Sequence, residues 1–365
     1  MTTGLLFGVF AIAVAAGGWL LLRHWVLAAI ASLVPASVCF AALFTPWPSD
    51  AFPLLLCAGF ITCGALLTAD EIVLRLCAGE PKRDAARAAL RDCLPRWGSL
   101  ALVTLVMSWP SGRATSIALV SGTLLALVLL RLSFFLPFGE DWLSRTCRFR
   151  DWAEQASGHI VALARPRYGF SVVGIGLVLA VLAVFSAKPF LLAAPVDLLD
   201  ILLFPATALI AMIAVQAIVL SDTRTIAASV LAAMPLVAVT VWFCGRFGGY
   251  AVSNVAASGI GVIAGQLLAL STASVIARHV AEGDDATMAG ARMLSRHLVG
   301  VVGTTCAVVL GFLAVAPLTG ALVVIAIGAV AIGCASAVLF QPALLVVIET
   351  LFPRRATIEA RYRLD

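Results

Sequence analysis

The chain has 365 residues, of which 62% are hydrophobic and 12% are charged, and its formal net charge is +5. Soluble proteins carry about 25% charged residues, and no soluble fold of this length could bury so much apolar surface. The composition therefore excludes a soluble domain and predicts an all-α integral membrane protein. The positive charge needs no nucleic-acid partner, because the basic residues follow a membrane pattern.

Eleven apolar runs are long enough to cross a bilayer at about 20 residues per crossing. The fourth is the weakest, because it is short and bracketed by Pro95 and Pro110. The first follows Met1-Thr2-Thr3 without a basic start or a convincing cleavage site, so we expect it to persist as a helix. The runs lie near residues 4–22, 25–45, 53–74, 95–110, 114–137, 169–187, 198–220, 225–244, 255–277, 298–316 and 320–349.

Basic residues concentrate in alternate loops between these runs. The opposite set of loops holds only Arg113, Lys188 and Arg246. The positive-inside rule then predicts a multi-pass protein of the bacterial inner membrane, with the N-terminus outside and the C-terminus in the cytoplasm. Residues 351–365 form a basic cytoplasmic tail, and residues 141–168, where Trp142 and Trp152 stand among arginines, predict a linker helix in the inner interface.

The apolar runs form two halves in matching order. Pro137 and Pro342 close equivalent runs, and Thr68-Ala69-Asp70 and Thr272-Ala273-Ser274 recur at nearly the same separation. Residues 1–140 form a first half of five helices, and residues 169–350 form a second half of six. Since each copy starts outside and ends inside, we expect parallel pseudo-repeats, which are common in transporters.

Several short motifs carry a resemblance to a known family. The second half contains Ile276-Ala277-Arg278-His279, Gly283-Asp284-Asp285-Ala286, Gly311-Phe312-Leu313-Ala314 and Gln341-Pro342-Ala343, and the first half repeats them more loosely. With these motifs the chain resembles the RND superfamily, and in particular its MMPL-type exporters. Members usually have twelve helices and two large extracytoplasmic domains, so the resemblance implies a compact form that lacks the first helix and both domains.

The resemblance also implies a proton relay, because transporters of this family carry acidic residues on their fourth helix. Asp70 and Glu71 lie on the matching helix. A carboxylate in apolar surroundings tends to bind a proton, which suits a carrier. The alternative is that Asp70 simply reaches cytoplasmic water beside Arg75. The second half has Ser274 at the position of Asp70, and we expect Ser274, Thr272, Gln266 and Thr305 to line a helix interface or a substrate path.

Two hypotheses of function remain open from the sequence. The first is an exporter of a hydrophobic or lipid-like molecule, proton-coupled through Asp70. The second is an accessory, scaffold or lipid-sensing subunit that keeps only the helical core, beside a partner that supplies periplasmic domains. We expect no enzyme activity, because phosphate-loop, GxSxG and HExxH motifs are missing, and Asp197 and Asp200 lie opposite Asp70 across the bilayer. We expect no cofactor, no metal site and no disulfide, since no CxxC or paired-histidine spacing occurs.

Overall fold

The computed structural model is helical in the part of the chain it describes, with no strand there. It describes residues 2–46, 51–108, 113–156, 166–193, 210, 213–214, 217, 222–248, 268, 286–319 and 321–352. Eight helices within these ranges are long and apolar enough to span a membrane, and they match eight of the eleven predicted runs. Runs 198–220 and 255–277 lie mostly outside the described residues. The all-α membrane fold is confirmed, and the count of eleven stays a prediction.

The helices follow the predicted order, with short connections where the chain reverses. A single 3₁₀ turn, Leu132–Phe135, follows α5, and a π-helical turn, Ser336–Phe340, separates α10 from α11. The helices are α1 Thr2–Leu22, α2 Trp25–Ala42, α3 Ala51–Cys77, α4 Lys82–Ser108, α5 Arg113–Arg131, α6 Glu140–Ala156, α7 Pro166–Ala193, α8 Thr223–Gly248, α9 Ala286–Thr319, α10 Ala321–Ala335 and α11 Gln341–Leu351.

Helix α4 differs from the sequence expectation in its extent. The sequence predicts a separate short span over residues 95–110. The structure has instead one helix from Lys82 to Ser108, which also takes in charged residues before that run, and this helix is not among those apolar enough to count as a span. Pro95 lies inside this helix without ending it. Ala85, Ala86 and Ala89 are strong helix formers that pack inward, and they favour a helix that continues through this region.

The chain divides by internal contacts into two units, and the first contains Met1–Ala153 together with Val299–Val330. Helix α3 is its central helix and is buried along most of its length. It packs against α2, α4 and α5, and α1 packs on α2. Gly17 brings α1 close to α9, because a β-carbon there would lie 2.7 Å from the Cα of Ala307. Small residues at such contacts allow the close van der Waals packing that holds membrane helices together.

The second unit contains Glu154–Leu298 and Ala331–Asp365. Its described core joins α7, α8 and α11 through an apolar cluster around Phe340. Pro342 has no N–H for the helical ladder, and the π-helical turn just before it accommodates that interruption. Arg224 at the start of α8 pairs with the largely buried Glu349 on α11 at 2.8 Å. The predicted domain boundaries, 1–140, 141–168, 169–350 and 351–365, stay a prediction.

Two cysteines correct the expectation that none is paired. Cys77 at the end of α3 forms a disulfide with Cys147 on α6, with Cα atoms 5.6 Å apart. Seventy residues separate the two in sequence, so the pairing follows from the way α6 folds back against α3. The free cysteines among the described residues are buried, apart from Cys306.

Candidate functional site

Helix α3 carries Asp70 into the interior of the first unit. The aspartate is 2% exposed and lies seven residues before the end of α3, which is about 10 Å along the helix. The neighbouring Thr68 hydroxyl donates to the Gly64 carbonyl and accepts a hydrogen bond from Trp97 Nε1 of α4 at 2.8 Å. The Trp97 ring also lies against Gly64, where a larger residue would not fit. These contacts fix the position of α3 beside Asp70.

The partner of Asp70 comes from α6, the helix that the sequence predicted as an interfacial linker. Arg150 Nη2 donates to Asp70 Oδ1, and the two side chains are 7% and 3% exposed. Helix α6 is amphipathic, so that Arg145 and Arg148 face outward while Thr146 and Arg150, four residues apart, face inward. The linker helix was predicted, but this arginine was missed as a site residue.

Two further contacts hold α6 in place. Trp142 Nε1 near its start donates to the carbonyl of Arg23 at 2.6 Å. The Cys147–Cys77 disulfide lies one turn before Arg150 and ties α6 covalently to α3. Arg150 is therefore presented to Asp70 by a helix that is anchored at two points.

The ion pair is enclosed on a third side by α9. A β-carbon at Gly300 would collide with the carboxylate of Asp70, so only glycine fits there without a shift. The Nε and Nη1 groups of Arg150 are buried, and no described residue accepts a hydrogen bond from either. A guanidinium has five N–H donors, and unused donors in a buried site carry a desolvation cost. The site thus combines one buried carboxylate, one permanent cation and incomplete hydrogen bonding.

Glu71, the other predicted relay residue, lies in a different cluster. Its Oε1 accepts from Arg75 Nε at 3.1 Å, one helical turn further along α3. The same guanidinium bonds to Glu80 at 3.1 Å and to Asp92 of α4. Three carboxylates thus surround Arg75 near the end of α3, and Arg91 Nε lies 3.7 Å from Asp92 Oδ1. The structure therefore separates the two adjacent acids: Asp70 faces Arg150, and Glu71 faces Arg75.

The remaining predicted site residues are only partly described. Thr305 is buried on α9, and its hydroxyl donates to the Val301 carbonyl of its own helix at 2.8 Å. Both predicted roles of Thr305, a helix interface or a substrate path, stay predictions. Gln266, Thr272 and Ser274 lie outside the described residues, so their predicted roles stay predictions. Within the described ranges, no group of three histidine, cysteine, aspartate or glutamate side chains could hold a metal ion.

Comparison with known proteins places this geometry in a known fold. No family model and no curated protein matches the chain. Among solved structures, it is similar to SecDF in its super-membrane-facing form, with 15% identity and a TM-score of 0.64 over 99% of this chain. It is also similar to SecDF from Thermus thermophilus, described as a translocon-associated membrane protein, with 15% identity and a TM-score of 0.65 over 94% of this chain. The chain spans 64% and 62% of the length of these structures.

The described helices therefore adopt a SecDF-like multi-span membrane fold. At this level of identity the likeness concerns the fold alone. Beyond this shared fold the RND resemblance stays a prediction, and the MMPL type is not confirmed.

Proposed function

We propose that this chain is a proton-responsive RND-like transporter of the bacterial inner membrane, which moves a hydrophobic or lipid-like molecule of the MMPL-exporter type. The observation that carries the proposal is the buried pair of Asp70 and Arg150. A buried carboxylate paired with a cation on an amphipathic, surface-lying helix can link proton binding to movement of that helix.

The charges explain how this link operates. Arginine does not lose its proton in proteins, so only Asp70 can change its charge. When Asp70 binds a proton, Arg150 is left as an uncompensated buried cation, at a cost of about 3–5 kcal/mol. The guanidinium then gains by moving to water, and the part of α6 that follows Cys147 must move with it, because the disulfide and Trp142 hold the earlier part. Turning a 1:99 equilibrium into 99:1 takes about 5.5 kcal/mol, so the pair supplies most of the energy for such a switch.

The proposal extends to a partner protein. Members of the family that the sequence resembles carry two large extracytoplasmic domains, so we expect a partner that supplies such domains. One of the similar SecDF structures is described as translocon-associated. The substrate class rests on the sequence resemblance and on the apolar surroundings of the spans.

Movement of α6 with pH tests the proposal. Spin labels at Asp151 on α6, beyond the disulfide, and at Val128 on α5, both exposed, would report their separation in proteoliposomes. We expect the separation to change on acidification in the wild type and to stay at the acid value at all pH in Asp70→Asn. Glu71→Gln should respond like the wild type. A separation that does not depend on pH would contradict the proton switch.

Transport itself needs a second readout. A fluorescent phospholipid analogue in proteoliposomes, followed by chemical quenching of the outer leaflet, would measure movement across the bilayer under a pH gradient. We expect gradient-dependent movement that Asp70→Asn abolishes. Movement that is indifferent to both the gradient and Asp70→Asn would contradict proton coupling.

The same ion pair also supports the alternative function, an accessory or scaffold subunit. The Arg150 guanidinium pairs with the Asp70 carboxylate, and the disulfide holds α6 on α3. A pair that stays ionised through the working pH range would only fix α6 in place. The spin-label experiment separates the two, because the accessory subunit would show one fixed separation and no lipid movement.

A further inference from the structure

An apolar groove of about 290 Å³ lies between α1 and α9 within the first unit. Its walls include Gly17, Leu20 and Leu21 of α1, Cys306 and Leu310 of α9, and Phe149 of α6. Gly17 and Gly303 bring the two helices close together, because a β-carbon at either would press on the opposite helix. The larger Leu20 and Leu310 are about half exposed and form open rims. The groove therefore faces outward and offers almost no polar group to a ligand.

A cation stands at one end of this groove. Arg23 directly follows α1, is exposed, and places its guanidinium 4.6 Å from the centre of the Phe149 ring that lines the groove. Its backbone adopts the left-handed conformation, with φ at 54°, which turns the chain at the end of the helix. Within the described ranges no carboxylate pairs with Arg23. Its charge is available to a ligand that also enters the groove.

We propose that this groove binds one acyl chain of an anionic phospholipid, with the lipid phosphate held by Arg23. The lining suits a hydrocarbon chain, and the arginine at the groove end suits a phosphate, so the two features fit the two parts of one molecule. Arg145 and Arg148 are exposed on the adjoining α6 and add general attraction for an anionic surface. The loop charges predict that this end faces the cytoplasm, whose leaflet is rich in anionic lipid.

The specificity of the site comes from the headgroup. A hydrocarbon chain gains little free energy by moving from bulk lipid into an apolar groove, because both surroundings exclude water. A cation near the membrane surface favours an anionic headgroup by about fivefold in binding. The site includes neither Asp70 nor Arg150, so it does not rest on the proposed transport function and can be tested apart from it.

Native mass spectrometry of the full chain tests the site directly. The protein is mixed in detergent with phosphatidylglycerol and phosphatidylcholine that carry identical acyl chains. We expect about a fivefold preference for phosphatidylglycerol. Arg23→Asn should remove the preference, since asparagine tolerates a positive φ and lacks the charge, while Arg23→Lys should keep it. Arg148→Gln, a matched exposed arginine on α6, should also keep it.

Two further arms separate this site from other sources of binding. Cys306→Trp should fill the groove and reduce binding of both lipids, with unfolding of each variant measured alongside. Inorganic phosphate at equal concentration should not displace the lipid, because it cannot occupy the apolar part. The proposal is overturned if Arg23→Asn keeps the preference, if Arg148→Gln removes it equally, if phosphate competes, or if a folded Cys306→Trp binds lipid as before.

Discussion

The buried ion pair makes a quantitative prediction about charge removal. Asp70→Asn keeps the shape of the side chain but leaves the guanidinium of Arg150, which is 7% exposed, without its counter-charge. Breaking a buried pair in this way costs about 3–5 kcal/mol of unfolding free energy. Arg150→Met removes the cation instead and leaves a carboxylate that can bind a proton. The loss of unfolding free energy in Arg150→Met should therefore become smaller as the pH falls, whereas the loss in Asp70→Asn should not.

The double variant Asp70→Asn/Arg150→Met removes both charges and should recover stability. We expect it to lose about 2 kcal/mol less than the sum of the two single variants, because neither stranded charge remains. The assay is reversible unfolding in mixed detergent micelles at neutral and acidic pH, followed by circular dichroism. Arg148→Met is the matched control, since Arg148 is exposed on the same helix, and it should change stability by less than about 0.5 kcal/mol.

This reasoning would be refuted if the double variant lost as much unfolding free energy as the two single variants together. A cost below about 1 kcal/mol for Asp70→Asn would mean that the arginine already reaches water, and the pair could not then drive a helix. Equal losses in Arg148→Met and Arg150→Met would mean that α6 has no preferred buried face.

Three other predictions follow from contacts near this site. Gly300→Ala should lower the free energy of unfolding by about 1–3 kcal/mol in the same assay, because its methyl group would push on the ion-paired carboxylate. Gly8→Ala is the control and should not lower it, because the space around Gly8 is open. Equal effects of the two variants would refute the close contact at Gly300. Cys77 and Cys147 should be recovered as a disulfide from intact cells blocked with maleimide before lysis, because the structure pairs them; recovery as free thiols would mean that reducing conditions on the cytoplasmic side open the bond and that it does not tie α6 to α3. Burial lowers the pKa of His24 below its usual 6.5, although a hydrogen bond to a backbone carbonyl opposes this shift. The free energy of unfolding should therefore fall as the pH drops below 6.5 and through the lower pKa that His24 has in the folded protein. His24→Gln should flatten this fall in thermal unfolding scans, and an unchanged slope would count against it.

The sequence predicts half of the ion pair and misses the other half. Asp70 stands out because an acidic residue inside an apolar run is costly and therefore informative. Arg150 does not stand out, because its segment contains several arginines and only the helical phase distinguishes them. The spacing of Leu143, Thr146 and Arg150 at three and four residues was the available signal, since it puts all three on one face of α6.

The pairing of α6 with α3 is a long-range contact that no local pattern contains. Cys77 and Cys147 show this most clearly, because neither spacing nor compartment favours a disulfide between them. Helix α4 shows the opposite case, where local helix formers such as Ala85 and Ala89 explain a continuous helix that hydropathy alone divided. Hydropathy thus predicts the membrane spans well, but it predicts neither how the helices pack nor which charged residues form ion pairs.

Infrared difference spectroscopy of the reconstituted protein tests the central claim most directly. Acidification should produce the carbonyl band of a protonated carboxyl group, and this band should be missing in Asp70→Asn and present in Glu71→Gln. The band should grow over the same pH range in which α6 moves. A band that survives in Asp70→Asn, or no band over the range in which α6 moves, would contradict the assignment of Asp70 as the proton-binding group.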